Sequence, residues 1–246
     1  KVFRTGQTQQ HNISASGGTG KTKYFASLGI MDQDGTLKNT SYTRYNARIN
    51  LDVEVAKNMR FIANLAGLRS DRDWPGTAIG NQQEFDPVRQ AITSIPIIKS
   101  EYQGLPTAWK TTGAGYYVNG EAALNESGYK RQARWNVTSN FKLEYDFGGL
   151  WSSLKGLKAS VFGAYNYSNT TDSNYDRYYK LYAIDETLTE GIVGASGFTE
   201  GGGYTKSSSW GDDWLFRPQI EYSGDFGKHH IDALFLYEAQ KVYSST

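Results

Sequence analysis

Cysteine is absent from this chain of 246 residues, and that absence excludes several chemistries together. Disulfides, thiolate nucleophiles and cysteine-ligated zinc all fall away. Also missing is any run of about 18 apolar residues, so no segment reads as a membrane-crossing helix. Hydrophobic residues reach only 38% and mean hydropathy is −0.59. Those values leave a membrane barrel open, because its strands are apolar on one face alone. A net charge of +1 points to no nucleic acid or other polyanion as partner. Proline is scarce, at five, whereas glycine (27) and tyrosine (18) are frequent, a balance that suits long strands and aromatic belts. With no initiator methionine, signal peptide or lipidation motif, the expectation is a piece of a longer protein.

What the chain does have is alternation. Residues 44–55 read Arg-Tyr-Asn-Ala-Arg-Ile-Asn-Leu-Asp-Val-Glu-Val without a break. Tyr45, Ala47, Ile49, Leu51, Val53 and Val55 fall on one face, and Arg44, Asn46, Arg48, Asn50, Asp52 and Glu54 on the other. A period of two is the period of a strand. At more than about ten residues this strand exceeds the globular mode of about five or six and suits a tilted bilayer crossing. Apolar outside and charged inside is the pattern of a barrel wall between lipid and a water-filled lumen.

Seven further stretches repeat it, at 9–16, 22–31, 59–69, 129–145, 157–167, 210–222 and 230–240. They predict an all-β fold, an antiparallel transmembrane β-barrel segment of about eight strands with long extracellular loops. Short turns near 17–21, 56–58, 146–156 and 224–229 alternate with long connections at 32–41, 70–128 and 168–209. In such barrels the short turns are periplasmic and the long loops lie outside. By parity the first strand runs from outside to inside, which calls for at least one strand before residue 1. Tyr45, Ile49, Leu51, Trp135, Val137, Phe141, Val161, Tyr165, Phe235 and Tyr237 are expected on the lipid face. Residues 86–92 read as a short helix, and Pro218 removes one ladder donor from its strand.

Short motifs favour plain readings. Residues 15–22, Ala-Ser-Gly-Gly-Thr-Gly-Lys-Thr, resemble a phosphate-binding loop, but that mechanism needs a helix after the lysine and here a strand pattern follows. Asp32-Gln33-Asp34-Gly35 places glycine too early for an EF-hand. Asp172, Asn174 and Asp176 have oxygen ligands for calcium in an outer loop, with a solvated loop as the plainer reading. His229 and His230, neighbours on a strand, point to opposite faces and make a poor chelating pair. The outer-loop aromatics Trp74, Tyr102, Trp109, Tyr116, Tyr117, Tyr175, Tyr178 and Tyr179 suit stacking on sugars, contact with a peptide, or plain packing. No metal site, cofactor or enzyme activity is indicated.

Residues 10–18 (Gln-His-Asn-Ile-Ser-Ala-Ser-Gly-Gly), 21–29 (Lys-Thr-Lys-Tyr-Phe-Ala-Ser-Leu-Gly) and Asp32-Gln33-Asp34-Gly35 resemble the SusC/RagA family. So do the Arg-Tyr-Asn-x-Arg-x-Asn-Leu of residues 44–51 and the Phe226-Gly227-Lys228-His229 turn. These are TonB-dependent outer-membrane transporters of the Bacteroidetes. The resemblance implies a 22-stranded barrel plugged by an N-terminal domain. Residues 1–246 would then be part of one barrel domain, with the plug, the first strand and the C-terminal strands absent. It further implies a SusD-like surface lipoprotein, TonB acting through the missing plug, glycan or peptide as ligand, outer-membrane lipid around the wall, and no nucleic acid. Arg44, Asn46, Arg48, Asn50, Arg134 and Asn136 would form the ligand path in the lumen, or else line water or meet the plug. Trp74, Tyr102, Trp109, Tyr116 and Tyr117 would be outer-loop ligand contacts. Two other readings compete. A small self-contained barrel with a structural or adhesive role requires the first and last strands to pair, and an outer-membrane hydrolase requires a nucleophile–base pair in the lumen.

Overall fold

The alternating stretch at 44–55 lies within a strand of 16 residues, and a ladder of equally long neighbours is built on it. The computed structural model of the chain describes residues 2–76, 99–110, 117–177, 179–183 and 202–245. Its strands are β1 (Thr8–Gly18), β2 (Thr22–Asp34), β3 (Ser41–Ala56), β4 (Met59–Pro75), β5 (Glu101–Tyr102), β6 (Leu105–Lys110), β7 (Tyr117–Val118), β8 (Gly128–Asp146), β9 (Leu157–Asp176), β10 (Tyr182–Ala183), β11 (Gly203–Phe226), β12 (His229–Leu236) and β13 (Ala239–Ser245). Among the described residues one α-helix, α1 (Gly120–Glu126), precedes β8. The long strands form a single antiparallel sheet in the order β1-β2-β3-β4-β8-β9-β11-β12, with β13 also paired to β11. A second, small sheet of β10, β6 and β5, with β7 against β6, belongs to the outer connections.

Among the described residues β1 pairs only with β2, and β12 and β13 pair only with β11. The sheet is therefore open, which overturns the self-contained small barrel. Closure is what that reading required, since unpaired edge groups have no partner in hydrocarbon.

The strands run past the limits that hydrophobic alternation set. β4 continues beyond residue 69 to Pro75, β9 beyond 167 to Asp176, and β11 begins at Gly203 rather than 210. Both faces are polar there, as in Thr170-Thr171-Asp172-Ser173-Asn174, so the signal fades while the backbone ladder carries on. The connections read as loops over 70–128 and 168–209 are thus partly strand. The last strand, read as one over 230–240, is instead broken at residues 237–238. The break lies opposite Pro218, whose carbonyl still accepts from the Tyr237 N–H at 3.1 Å but which has no N–H to return. The expected helix at 86–92 lies outside the described residues.

Nine of the ten residues expected on the lipid face share one side of the sheet, as the register requires, and Tyr237, in the break after β12, lines a hollow on that side with Phe235, Ile220 and Val161. Ile49 stands opposite Leu65, Leu65 opposite Ser139, Ser139 opposite Tyr165, and Tyr165 opposite Trp214. All but Leu51 are exposed, Phe235 to 72%. About two dozen large apolar side chains open to solvent on one sheet face would aggregate in water, and only lipid satisfies them.

The outer limit of that apolar face is not level with the ladder. One row of partners runs Ile30, Tyr45, Arg69, Trp135, Asn169, Trp210, Ser245. The uninterrupted apolar run starts in this row on β2 and β3, two residues further along at Gly67 and Tyr167, four at Trp214, and six at Ala239; β8 alone departs from the drift, with Trp135 and Val137 cut off from Phe141 by Ser139. Six residues of about 3.3 Å over six strand spacings of about 4.8 Å correspond to a tilt of about 35°. A flat membrane cut by strands tilted about 35–45° leaves this trace. On β3 the run from Tyr45 to Val55 then spans about 27 Å along the membrane normal, against an expected band of about 25 Å.

Candidate ligand path and outer loop module

The polar face carries all six residues assigned to a ligand path. Arg44 and Arg134 share one row, both opposite Ser70, and Asn46 and Asn136 share the next, both opposite Leu68. Arg48 and Asn50 follow along β3. Asn50, Asn64 and Asn140 form a further row, in which Asn64 Nδ2 donates to Asn140 Oδ1 at 2.7 Å. Such amide rungs satisfy both partners across strands.

The two halves of this face differ in electrostatics. Toward the short turns three of its cations are paired: Arg60 Nε donates to Asp52 at 2.7 Å, Lys142 Nζ to Glu144 at 2.8 Å, and Arg217 Nε to Glu238 at 2.8 Å. Toward the outer end Arg44, Arg48 and Arg134 form no ion pair among the described residues; Arg134 has only a 3.4 Å contact to the Thr170 hydroxyl, and Arg44 Nε is buried with no hydrogen-bond partner. Arg72, on the same face and not singled out from the sequence, lies 4.6 Å from the Trp74 ring and 5.5 Å from that of Tyr42. Trp74 is therefore a strand residue at the outer end of β4, not the loop residue expected.

The outer connections fold into a small module with its own buried core. Leu124, Leu181 and Thr107 are almost wholly buried, and Tyr179 packs on Ala122 and Leu181. Burial of its hydroxyl pushes the Tyr179 pKa up to about 12, so the ring stays neutral at physiological pH. At the centre is Asn119, with no exposed surface. Its Oδ1 caps α1 by accepting from the N–H groups of Glu121 (3.0 Å) and Ala122 (3.1 Å), while Nδ2 donates to the carbonyls of Ser100 (2.8 Å) and Thr107 (2.7 Å). The sequence signal for α1, an asparagine before Gly-Glu-Ala-Ala-Leu, was present and unread. Asn39 ties the shorter 35–40 connection to this module, donating to the Leu124 carbonyl at 2.8 Å.

Gly128 joins module to barrel. It follows the C-cap Ser127 with φ of +99°, and a Cβ there would collide with the Tyr175 carbonyl oxygen. Gly128→Ala is expected to cost about 2 kcal/mol, seen as faster proteolysis of the module with the barrel still assembled. Wild-type protease resistance would contradict this strain.

Of the proposed aromatic contacts, Tyr102 is exposed on β5, where Gln103 and Gly104, both with positive φ, make the hairpin turn into β6. Backbone pairing sets Trp109 opposite Val118 and Lys110 opposite Tyr117. Tyr116 lies outside the described residues, as does Tyr178. The triad of Asp172, Asn174 and Asp176 stands on β9, not in a loop, with side chains at alternate positions and Asp172 held by Gln132 at 2.9 Å. Residues 15–22 form the β1–β2 hairpin, with strand rather than helix after Lys21. His229 and His230 alternate along β12, and His230 contacts Asp225 at 2.6 Å.

No family model matches the chain. It is 24% identical to TonB-dependent receptor P3 of Formosa agariphila over 255 residues, covering 98% of this chain and 22% of that protein. It is 27% identical to TonB-dependent receptor SusC of Bacteroides thetaiotaomicron over 143 residues, covering 57% of this chain and 13% of that protein. Among solved structures, the RagAB peptide transporter superposes with a TM-score of 0.69 at 21% identity, over 99% of this chain and 25% of the other. The RagAB peptide importer in its open-open state gives a TM-score of 0.66 at 19% identity over the same shares. The chain spans about a quarter or less of the length of these proteins, which are named as receptors and transporters. Tilted strands, one lipid face and one charged face define a segment of a transmembrane β-barrel wall, and its fold is that of the TonB-dependent transporter barrels to which it is similar. Within that class the chain is SusC/RagA-like.

Proposed function

We propose that this chain supplies part of the barrel wall and outer loops of an outer-membrane importer that takes up glycan or peptide oligomers. TonB drives passage by acting on a plug domain, and a SusD-like surface lipoprotein covers the outer mouth. One observation carries the reading: behind a lipid-matched apolar face lies a continuous polar face, and its Arg44, Asn46, Arg48, Asn50, Arg134 and Asn136 lie in adjacent rows leading inward from the outer module. Groups of this kind hold a polar oligomer by exchangeable hydrogen bonds, which suits passage better than tight capture. The two solved neighbours are described as peptide transporters, which supports a peptide as one cargo class.

The test uses the full-length protein in its own cells. Uptake of labelled oligomers is expected to need this protein and to stop when TonB is depleted; uptake indifferent to TonB would refute the importer. Orientation has its own readout. A protease site inserted between Gln103 and Gly104 should be cut on intact cells, and one between Gly227 and Lys228 only after the outer membrane is permeabilised. Surface cleavage at the second site would invert the assigned sides.

A further inference from the structure

The net charge of +1 conceals a segregation along the polar face. On the adjacent strands β3, β4 and β8, its outer half presents Arg44, Arg48, Arg72 and Arg134, and no carboxylate stands among them there. The nearest acids along the rows, Asp172 on β9 and Asp213 on β11, already accept from Gln132 (2.9 Å) and Asn166 (3.0 Å). The inner half behaves differently, for there Arg60, Lys142 and Arg217 each have a carboxylate partner on the same wall. Lys23 and Lys158, the other inner cations, stand opposite Asp52 and Asp146 across the ladder, so a wall that only lined water would have no reason to give its cations acidic neighbours at one end and none at the other. Removing guanidinium groups from bulk water without a partner is costly, and Arg44 Nε is already buried with none.

Spacing narrows the ligand. Arg44 and Arg134 are two strand spacings apart, about 10 Å, and Arg44 and Arg48 are four residues apart, about 13 Å. Arg72 is braced between the Trp74 and Tyr42 rings at the outer mouth. Guanidinium forks match planar oxyanions, so successive acidic groups on one extended oligomer would meet successive arginines. We infer that the outer half of this wall is an anion-selective entry, and that the cargo carries repeated carboxylate or similar oxyanion groups. This rests on the importer reading and names its substrate class. Carboxylates of the plug domain are the rival occupant, and they would leave the arginines closed to cargo.

The experiment measures binding to the purified full-length transporter by calorimetry. The probes are tetraglutamate and tetragalacturonate, each beside a neutral counterpart, tetraserine and maltotetraose. An acidic probe is expected to bind at least tenfold tighter than its counterpart, and which acid does so separates a peptide from a glycan source. Arg44→Gln/Arg134→Gln should abolish that preference, whereas Lys23→Gln on the inner half should leave it. On the wild-type protein, raising salt from about 50 to 500 mM should weaken acidic binding about tenfold or more, a readout independent of whether the double variant assembles. Equal binding of acidic and neutral probes, no binding of either acid, or binding indifferent to salt overturns the inference. TonB-dependent uptake without acidic preference sinks this inference alone, and acidic preference without TonB-dependent uptake sinks the importer alone.

Discussion

Arginine at Ile49 is expected to destabilise the assembled barrel by about 2–4 kcal/mol, and arginine at its neighbour Asn50 by a small fraction of that. Ile49 is exposed on the apolar face and lies midway along the β3 run from Tyr45 to Val55, so its side chain sits near the bilayer midplane. A guanidinium placed there cannot snorkel to either interface without distorting the membrane. Asn50 projects to the opposite side, beside Phe25 and Asn64, where water hydrates a new charge. The measurement is the urea midpoint for folding into lipid vesicles, or the amount of full-length protein that reaches the heat-modifiable form. Comparable losses at the two neighbours would mean that the face assigned to lipid is not in lipid.

The second large effect is expected far from the membrane. Asn119→Ala should cost about 3 kcal/mol of local stability. It removes an N-cap, worth about 1 kcal/mol, and strips the buried Thr107 carbonyl of its amide donor at about 1–3 kcal/mol, while the Ser100 carbonyl keeps the Thr107 N–H at 3.0 Å. Hydrogen exchange over residues 99–127 should accelerate about a hundredfold while the barrel ladder keeps its protection. Asn119→Asp is the sharper probe. It retains the cap acceptor and adds a charge favourable at a helix N-terminus, yet it loses both donors and turns an anionic oxygen toward two carbonyls. A loss close to that of alanine is expected. An aspartate variant as protected as wild type would show that capping alone matters and that the two carbonyl bonds do not.

Legibility in the sequence followed burial and solvent. Along β3 and β8 one face meets lipid and the other water, so Tyr45 to Val55 and Trp135 to Tyr145 alternate by necessity, and strand, facing and even the midplane were readable. Beyond the membrane both faces of β9 and β11 meet water, and residues 170–176 and 203–209 pair across seven rungs of ladder with nothing in their composition to announce it. Backbone hydrogen bonds hold those extensions, and backbone groups are the same in every residue. Pro218 was legible as a missing donor, but that the break would fall on the partner strand at 237–238 required knowing which way its N–H position faced.

For the candidate path, the chain alone determined which side chains share a face, because a period of two permits no other arrangement of Arg44, Asn46, Arg48 and Asn50. It did not determine which strands would lie beside one another, or in what register. Residues 44, 72 and 134 are brought together only when β4 crosses to β8 over the whole outer module, setting Ser70 between Arg44 and Arg134. The drift of the apolar limit from Ile30 to Ala239, and hence the tilt that marks a barrel wall, likewise exists only across strands. Alternation is a local consequence of strand geometry and can be read from one segment. Register and tilt are properties of many segments at once, set by the requirement that every edge be paired and every apolar face lie within one flat membrane.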